Sequence, residues 1–283
     1  MAAPQPRPIA QLIPGMPATD GAGVKLKRII GSPALDQLDP FLLFDEFRSD
    51  NPDDYIEGFP DHPHRGFETV TYLLHGRLRH RDSKGNEGLL RPGSVQWMTA
   101  GRGIIHSEMP ETEQGLLWGY QLWVNLPARL KMTEPNYQDI PAEAIPEVTE
   151  NGCKVRVIAG EHGGVKGAAK TFINVLYLDL QLAKQSLFER PLPASMNAFA
   201  YAYGGAARVH AEGGAKALPA GQVAVFGAGD AVRIEGGENG AKLLLIAAER
   251  LNEPVARYGP FVMNTAEQIH QAFRDYQSGR LAG

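Results

Sequence analysis

What most constrains this chain is its punctuation. Val/Ile/Leu/Phe-rich runs, each about five to eight residues long, recur along its whole length and are closed by Gly, Pro, Asn or Asp. The clearest are Phe67–Leu74, Ser94–Thr99, Leu117–Asn125, Val155–Ala159, Phe172–Leu182, Gln222–Gly227, Ala231–Glu235 and Lys242–Ala248. Between them, Ser83-Lys84-Gly85-Asn86 and Gly236-Gly237-Glu238-Asn239-Gly240 read as turns, because these residues tolerate the backbone angles a reversal needs. Many short strands with frequent turns predict an all-β protein of sandwich or jelly-roll type.

At 283 residues the chain suits two cores. The stretch from Leu126 to about Asn151 holds four prolines and several charges without sustained alternation, and is read as a linker. The expected domains are therefore 1–135 and 136–283. The halves resemble each other locally. Leu90-Arg91-Pro92-Gly93-Ser94-Val95 leads into a strand in the first, as Leu218-Pro219-Ala220-Gly221-Gln222-Val223 does in the second. Near the C-terminus, Thr265 with Gln268 three residues on forms a capping-box pattern. Ile269, Ala272, Phe273 and Tyr276 then share a face and Gly279 is a stop, so a short helix is expected to dock there on a sheet.

Bulk properties exclude several classes. A net charge of −4 argues against direct nucleic-acid binding, which needs a clustered positive surface. The single cysteine, Cys153, can form neither an internal disulfide nor a thiolate cage; it is expected to be buried, as in a reducing compartment. No basic segment followed by an apolar run opens the chain, and nothing approaches the roughly 18 apolar residues of a membrane span. A soluble, cytoplasmic protein is expected.

Chemistry concentrates in two pairs. In Asp61-His62-Pro63-His64, residues i and i+2 of a strand point to one face, so both imidazoles can converge. His106 and Glu108 repeat that spacing about 40 residues later. Two adjacent strands offering these four side chains can surround one divalent transition metal ion: iron, manganese, nickel, copper or zinc. Four protein donors leave positions open on a five- or six-coordinate ion, as a catalytic or sensing site requires.

The residues around these pairs carry a resemblance. His62-Pro63-His64-Arg65-Gly66-Phe67-Glu68-Thr69-Val70-Thr71-Tyr72 and Gln96-Trp97-Met98-Thr99-Ala100-Gly101-Arg102-Gly103-Ile104-Ile105-His106-Ser107-Glu108 are similar to signature stretches of the pirin family of bicupins. Asp39–Phe47 and Tyr258–Asn264 resemble that family too, and the similarity runs from about Val24 to the C-terminal helix. The resemblance implies two cupin β-barrels, with Fe(II) in the first held by His62, His64, His106 and Glu108. A general cupin pattern would instead give the carboxylate position to Glu68, which regular alternation puts on the face of His64; the pirin resemblance favours Glu108 and leaves Glu68 as a supporting carboxylate. In the second half His210 stands alone and Asp230 has no histidine neighbours, so that domain is expected to be metal-free.

Other candidates have plainer readings. His75 and His80 are expected to be solvated or hairpin residues, and His162 and His270 surface ones. Trp97, Trp118 and Trp123 are read as core or pocket-wall residues, and Gly101-Arg102-Gly103 as a tight turn rather than a phosphate loop. The resemblance implies a dioxygenase that cleaves flavonols such as quercetin with O2, with Glu108 as catalytic base. Its alternative is a non-enzymatic, iron-binding, redox-sensitive regulator of a transcription factor or metabolic enzyme, which would need a protein partner.

Overall fold

The computed structural model describes residues 4–112 and 114–283. It is built from antiparallel strands, with one α-helix, Ala266–Gln277, among the described residues. No helix is long and apolar enough to cross a membrane.

The chain divides into two compact units. The first sandwich comprises Met16–Ala144 together with Leu251–Gly283. The second comprises the residues up to Gly15 with Ile145–Arg250. This differs from the expected division at 135/136 because each end of the chain belongs to the other half's unit. The strand Ile9–Pro14 pairs with Gln222–Phe226, and Arg7 is buried with its guanidinium donating to the carbonyls of Met196 (2.8 Å) and Pro193 (2.6 Å). Local composition carries no sign of such distant partners. The expected linker is also structured. Asn136–Ile140 pairs with Val95–Thr99, and Glu147–Glu150 pairs with Cys153–Ala159.

In the first sandwich a seven-stranded sheet runs in the order Asn136–Ile140, Val95–Thr99, Phe67–His75, Leu117–Asn125, Phe41–Ser49, Val24–Ile30, Met16–Asp20. A four-stranded sheet runs in the order Phe59–His64, Ile104–Pro110, Leu78–Asp82, Glu87–Leu90. The helix belongs to this unit. Thr265 and Gln268 form the capping box, and Ile269 and Ala272 pack with Phe261, Met263 and Leu281. An ion pair of 2.8 Å between buried Arg65 and Asp275 fastens the helix beside the His62–His64 strand.

The second sandwich shows one clear departure from the sequence reading. Ala231–Glu235 and Lys242–Ala248 are not separate strands; Ala231–Glu249 is continuous, and the glycine-rich stretch between is a bend. Gly240 has φ +72°, and the neighbouring strand Met196–Ala211 shifts register at Gly204 and Gly205 at the same level. Glycines here bend two paired strands together instead of reversing one. The interior is apolar: Leu178, Leu180, Ala200, Leu243 and Leu245 are fully buried in one cluster. Cys153 is buried there too, and burial pushes its thiol up from the ordinary range.

The repeated Pro-Gly motif is structural in both units. Gly93 (φ +83°) donates to Leu73 O, and Gly221 (φ +77°) to Ala202 O, each at 2.7 Å.

Candidate metal centre

His62 and His64 lie on Phe59–His64, and His106 on the adjacent antiparallel strand Ile104–Pro110, with His106 directly opposite His62. Pleating aims all three rings to one side. Their donor nitrogens lie within 4.8 Å of one another, and the ring centroids are 4.4 to 5.1 Å apart. His62 is half-buried; His64 and His106 are buried.

The ring nitrogens are oriented for a cation. His62 Nδ1 faces Pro60 O at 2.8 Å and His64 Nδ1 faces Pro260 O at 3.4 Å. A nitrogen facing a carbonyl carries the hydrogen, so Nε2 keeps its lone pair in both rings. Both nitrogens of His106 are sealed from solvent without a hydrogen-bond partner. An imidazole left so is costly unless its lone pair has another use. Burial holds the pKa of His64 and His106 well below the ordinary histidine value, and the neighbouring imidazoles lower it further. Both are therefore neutral near pH 7, the state a metal ligand requires. The three-histidine set fits a divalent transition metal ion.

Glu108 lies outside that cluster of donors. A register shift between His106 and Glu108 sets it opposite Phe59. It is buried, lines the same cavity as His62 and His64, and its Oε1 accepts a 2.8 Å hydrogen bond from Thr71. Glu68 is not on the histidine face. Regular alternation stops at Gly66, whose φ is +92° and where a Cβ would collide with Val262 O. Phe67 then contacts His64 (centroids 5.0 Å), so its neighbour Glu68 points the other way and accepts from Thr99 at 2.8 Å. Glu68 is fully buried, and burial raises its pKa to about 7 although the hydrogen bond from Thr99 opposes this.

A cavity of about 590 Å³ opens over His62 and His64. Leu43, Phe47, Phe59, Leu78 and Leu117 give it apolar walls. Trp123 lines it while packing on Phe67 (4.4 Å) and edge-on to His64 (5.1 Å), so His64 is boxed in by two aromatic neighbours. One side of the cavity is polar, lined by Arg28, Asp45 and Gln121. Cross-strand pairing continues their rung of the large sheet to Thr71 and Gln96, in the order Gln96, Thr71, Gln121, Asp45, Arg28. Arg28 donates to both Asp45 oxygens (3.0 and 2.7 Å); burial still raises the Asp45 pKa to about 6.

Sequence reasoning missed Thr71 and Gln121, whose one visible signal was a polar residue inside an apolar run. It also missed the returning tail, which supplies Arg257, Gly259 and Pro260 to the cavity. Lys131 was missed as well. Its buried ammonium donates to Gly66 O (2.9 Å), Asn125 Oδ1 (2.6 Å) and Val262 O (3.0 Å), tying the tail to the turn after His64. Two histidine readings are corrected. His80 is buried, stacked on Tyr137 with Nε2 2.9 Å from Asp139, because Leu78 and His80 face inward while Arg79 and Arg81 face out. His162 is buried between Glu150 (2.9 Å) and Arg190 (3.1 Å). His75 and His270 are exposed as expected, and His210 pairs with Glu235 at 2.6 Å.

Two antiparallel sandwiches, one holding a three-histidine cluster under a cavity, define a protein with two cupin domains. Residues 23–124 match the Pirin family model and residues 177–282 the Pirin C-terminal cupin domain model. A pirin-like protein of Caulobacter vibrioides is 48% identical over 278 residues, covering 97% of this chain and 99% of its own. Human pirin is 44% identical over 264 residues, covering 93% and 89%. The crystal structure of a quercetin 2,3-dioxygenase from Acinetobacter baumannii matches with a TM-score of 0.89 at 35% identity, covering 98% of this chain and 99% of that one. The chain belongs to the pirin family.

Proposed function

We propose that this protein is a metal-dependent dioxygenase that cleaves flavonols such as quercetin with O2. In this reading His62, His64 and His106 hold one Fe(II) ion, with Glu108 as fourth donor and base; copper, manganese, nickel or zinc suit the same donors. The observation that carries it is the convergence of three imidazoles, two of them on the wall of a largely apolar cavity of about 590 Å³, a volume suited to a small aromatic molecule. Similarity to the quercetin 2,3-dioxygenase structure supports it.

When bound, the ion supplies Lewis-acid stabilisation of the deprotonated substrate and redox exchange with O2. The chain supplies orientation and proton transfer. Leu43, Phe47 and Phe59 receive the flat rings and exclude water. Glu108 takes the proton of the flavonol 3-hydroxyl; with Oε1 engaged by Thr71, Oε2 is the oxygen left to receive it. Trp123 and Phe67 keep His64 from swinging away.

The test is aerobic addition of quercetin to protein loaded separately with iron, copper, manganese and nickel. Loss of the flavonol's visible absorbance that depends on the metal is expected. No turnover of any flavonol with any of these metals would replace this reading with that of an iron-binding, redox-sensitive regulator acting through a protein partner.

A further inference from the structure

Hydrogen counting on the polar side of the cavity gives Gln121 a role of its own. Thr71 has one hydroxyl hydrogen, yet its Oγ1 stands 2.8 Å from Glu108 Oε1 and 2.5 Å from the Gln121 side chain. That one hydrogen serves only one of these two contacts, so the pair cannot both be made by the Thr71 hydroxyl donating. Either end of the Gln121 carboxamide can meet Thr71, since amide oxygen and nitrogen are assigned from the network they join. Whichever end does so, the other end of the amide is left for a further partner. Asp45, its neighbour on the rung, has both oxygens taken by Arg28. Gln121 is half-buried and lines the cavity, so this spare capacity faces whatever the cavity holds.

We infer that Gln121 is a specificity-determining residue: anchored by Thr71, its carboxamide makes a hydrogen bond to a substrate hydroxyl other than the one deprotonated by Glu108. This rests on the flavonol-site reading above and narrows it to aromatic ligands with at least two hydroxyls. Thr71 is a positioning residue that holds Glu108 and Gln121 in register.

The experiment is anaerobic binding to the metal-loaded protein, read by quenching of tryptophan fluorescence as the ligand settles beside Trp123. Five ligands separate the hydroxyls: quercetin, fisetin (no 5-hydroxyl), kaempferol (no 3′-hydroxyl), galangin (no hydroxyl on the pendant ring) and 3-hydroxyflavone (the 3-hydroxyl alone). Wild-type protein is compared with Gln121→Leu, with metal stoichiometry and thermal midpoint confirming that the variant folds. Deletion of one particular hydroxyl is expected to weaken wild-type binding about three- to tenfold and to leave the variant's binding unchanged. Equal weakening of all five ligands by the substitution, or of none, overturns the inference while leaving the flavonol site standing. Failure of all five to bind overturns both.

Discussion

On one rung of its large sheet the first sandwich carries Gln96, Thr71, Gln121, Asp45 and Arg28; the second carries Ala224, Ala200, Leu245, Leu178 and Val157. The turn glycines anchor this correspondence. Gly93 bonds Leu73 O and Gly221 bonds Ala202 O, so Thr71 and Ala200 each lie two residues before that bond. Two sheets of similar pairing thus differ in what one rung puts inside. Buried leucines in the second sandwich each contribute about 1.5–3 kcal/mol and fill it. The first forgoes that burial and keeps a cavity lined by Arg28, Asp45 and Gln121, with Arg28 bonded to Asp45 and Thr71 to Gln121. Backbone plan alone does not make a metal site; the side chains of a few strands do.

The strongest way to break the comparison is through the histidines. His62→Ala combined with His106→Ala is expected to lower metal affinity roughly a hundredfold or more, while His210→Ala in the second sandwich leaves it unchanged. Elemental analysis after dialysis checks this. Next comes exchange of the rung residues. Leu245→Gln places a carboxamide among Leu178, Ala200 and Leu243, and is expected to destabilise the protein by about 3–5 kcal/mol in urea denaturation. Gln121→Leu, facing a cavity, should stay within about 1 kcal/mol. Equal losses would mean that the two interiors are not different in kind.

Within the first sandwich, Thr71→Val is expected to lower kcat on quercetin about tenfold with little change in KM, and Thr71→Ser to restore it. A change in KM alone would contradict its hold on Glu108. A further effect is on pH dependence. Glu68 has its pKa raised by burial from 4.5 to about 7. Between these values the unfolded chain has already released this proton and the folded chain has not, so Glu68 makes stability fall as pH rises through that window. Glu68→Gln should flatten the slope measured by urea denaturation from pH 4.5 to 7, leaving stability above pH 7 without further dependence on this group.

Much of this was legible from residue order, and what was not has physical causes. Strands such as Leu117–Asn125 show because apolar runs between turn residues have few other ways to bury themselves. The His-x-His pair shows because strand period converts spacing into direction. Thr71 and Gln121 do not, since a polar residue in a strand more often faces water than a cavity. Glu68 leaves the His64 face because a single glycine, Gly66, interrupts the regular alternation on which that placement depended. The tail carrying Arg257 and Pro260 joins the first sandwich only through contacts nearly 200 residues distant in sequence, such as Pro260 O with His64 (|i−j| = 196). No local pattern encodes such a return.

The three-histidine centre is tested most directly by anaerobic titration of the metal-free protein with Fe(II), followed by X-ray absorption at the iron edge. Saturation at about one equivalent per chain, with the scattering of imidazole rings in the first coordination sphere, is expected. Saturation at two equivalents, or an unchanged spectrum in the His62→Ala, His106→Ala variant, would contradict a single centre held by the first sandwich.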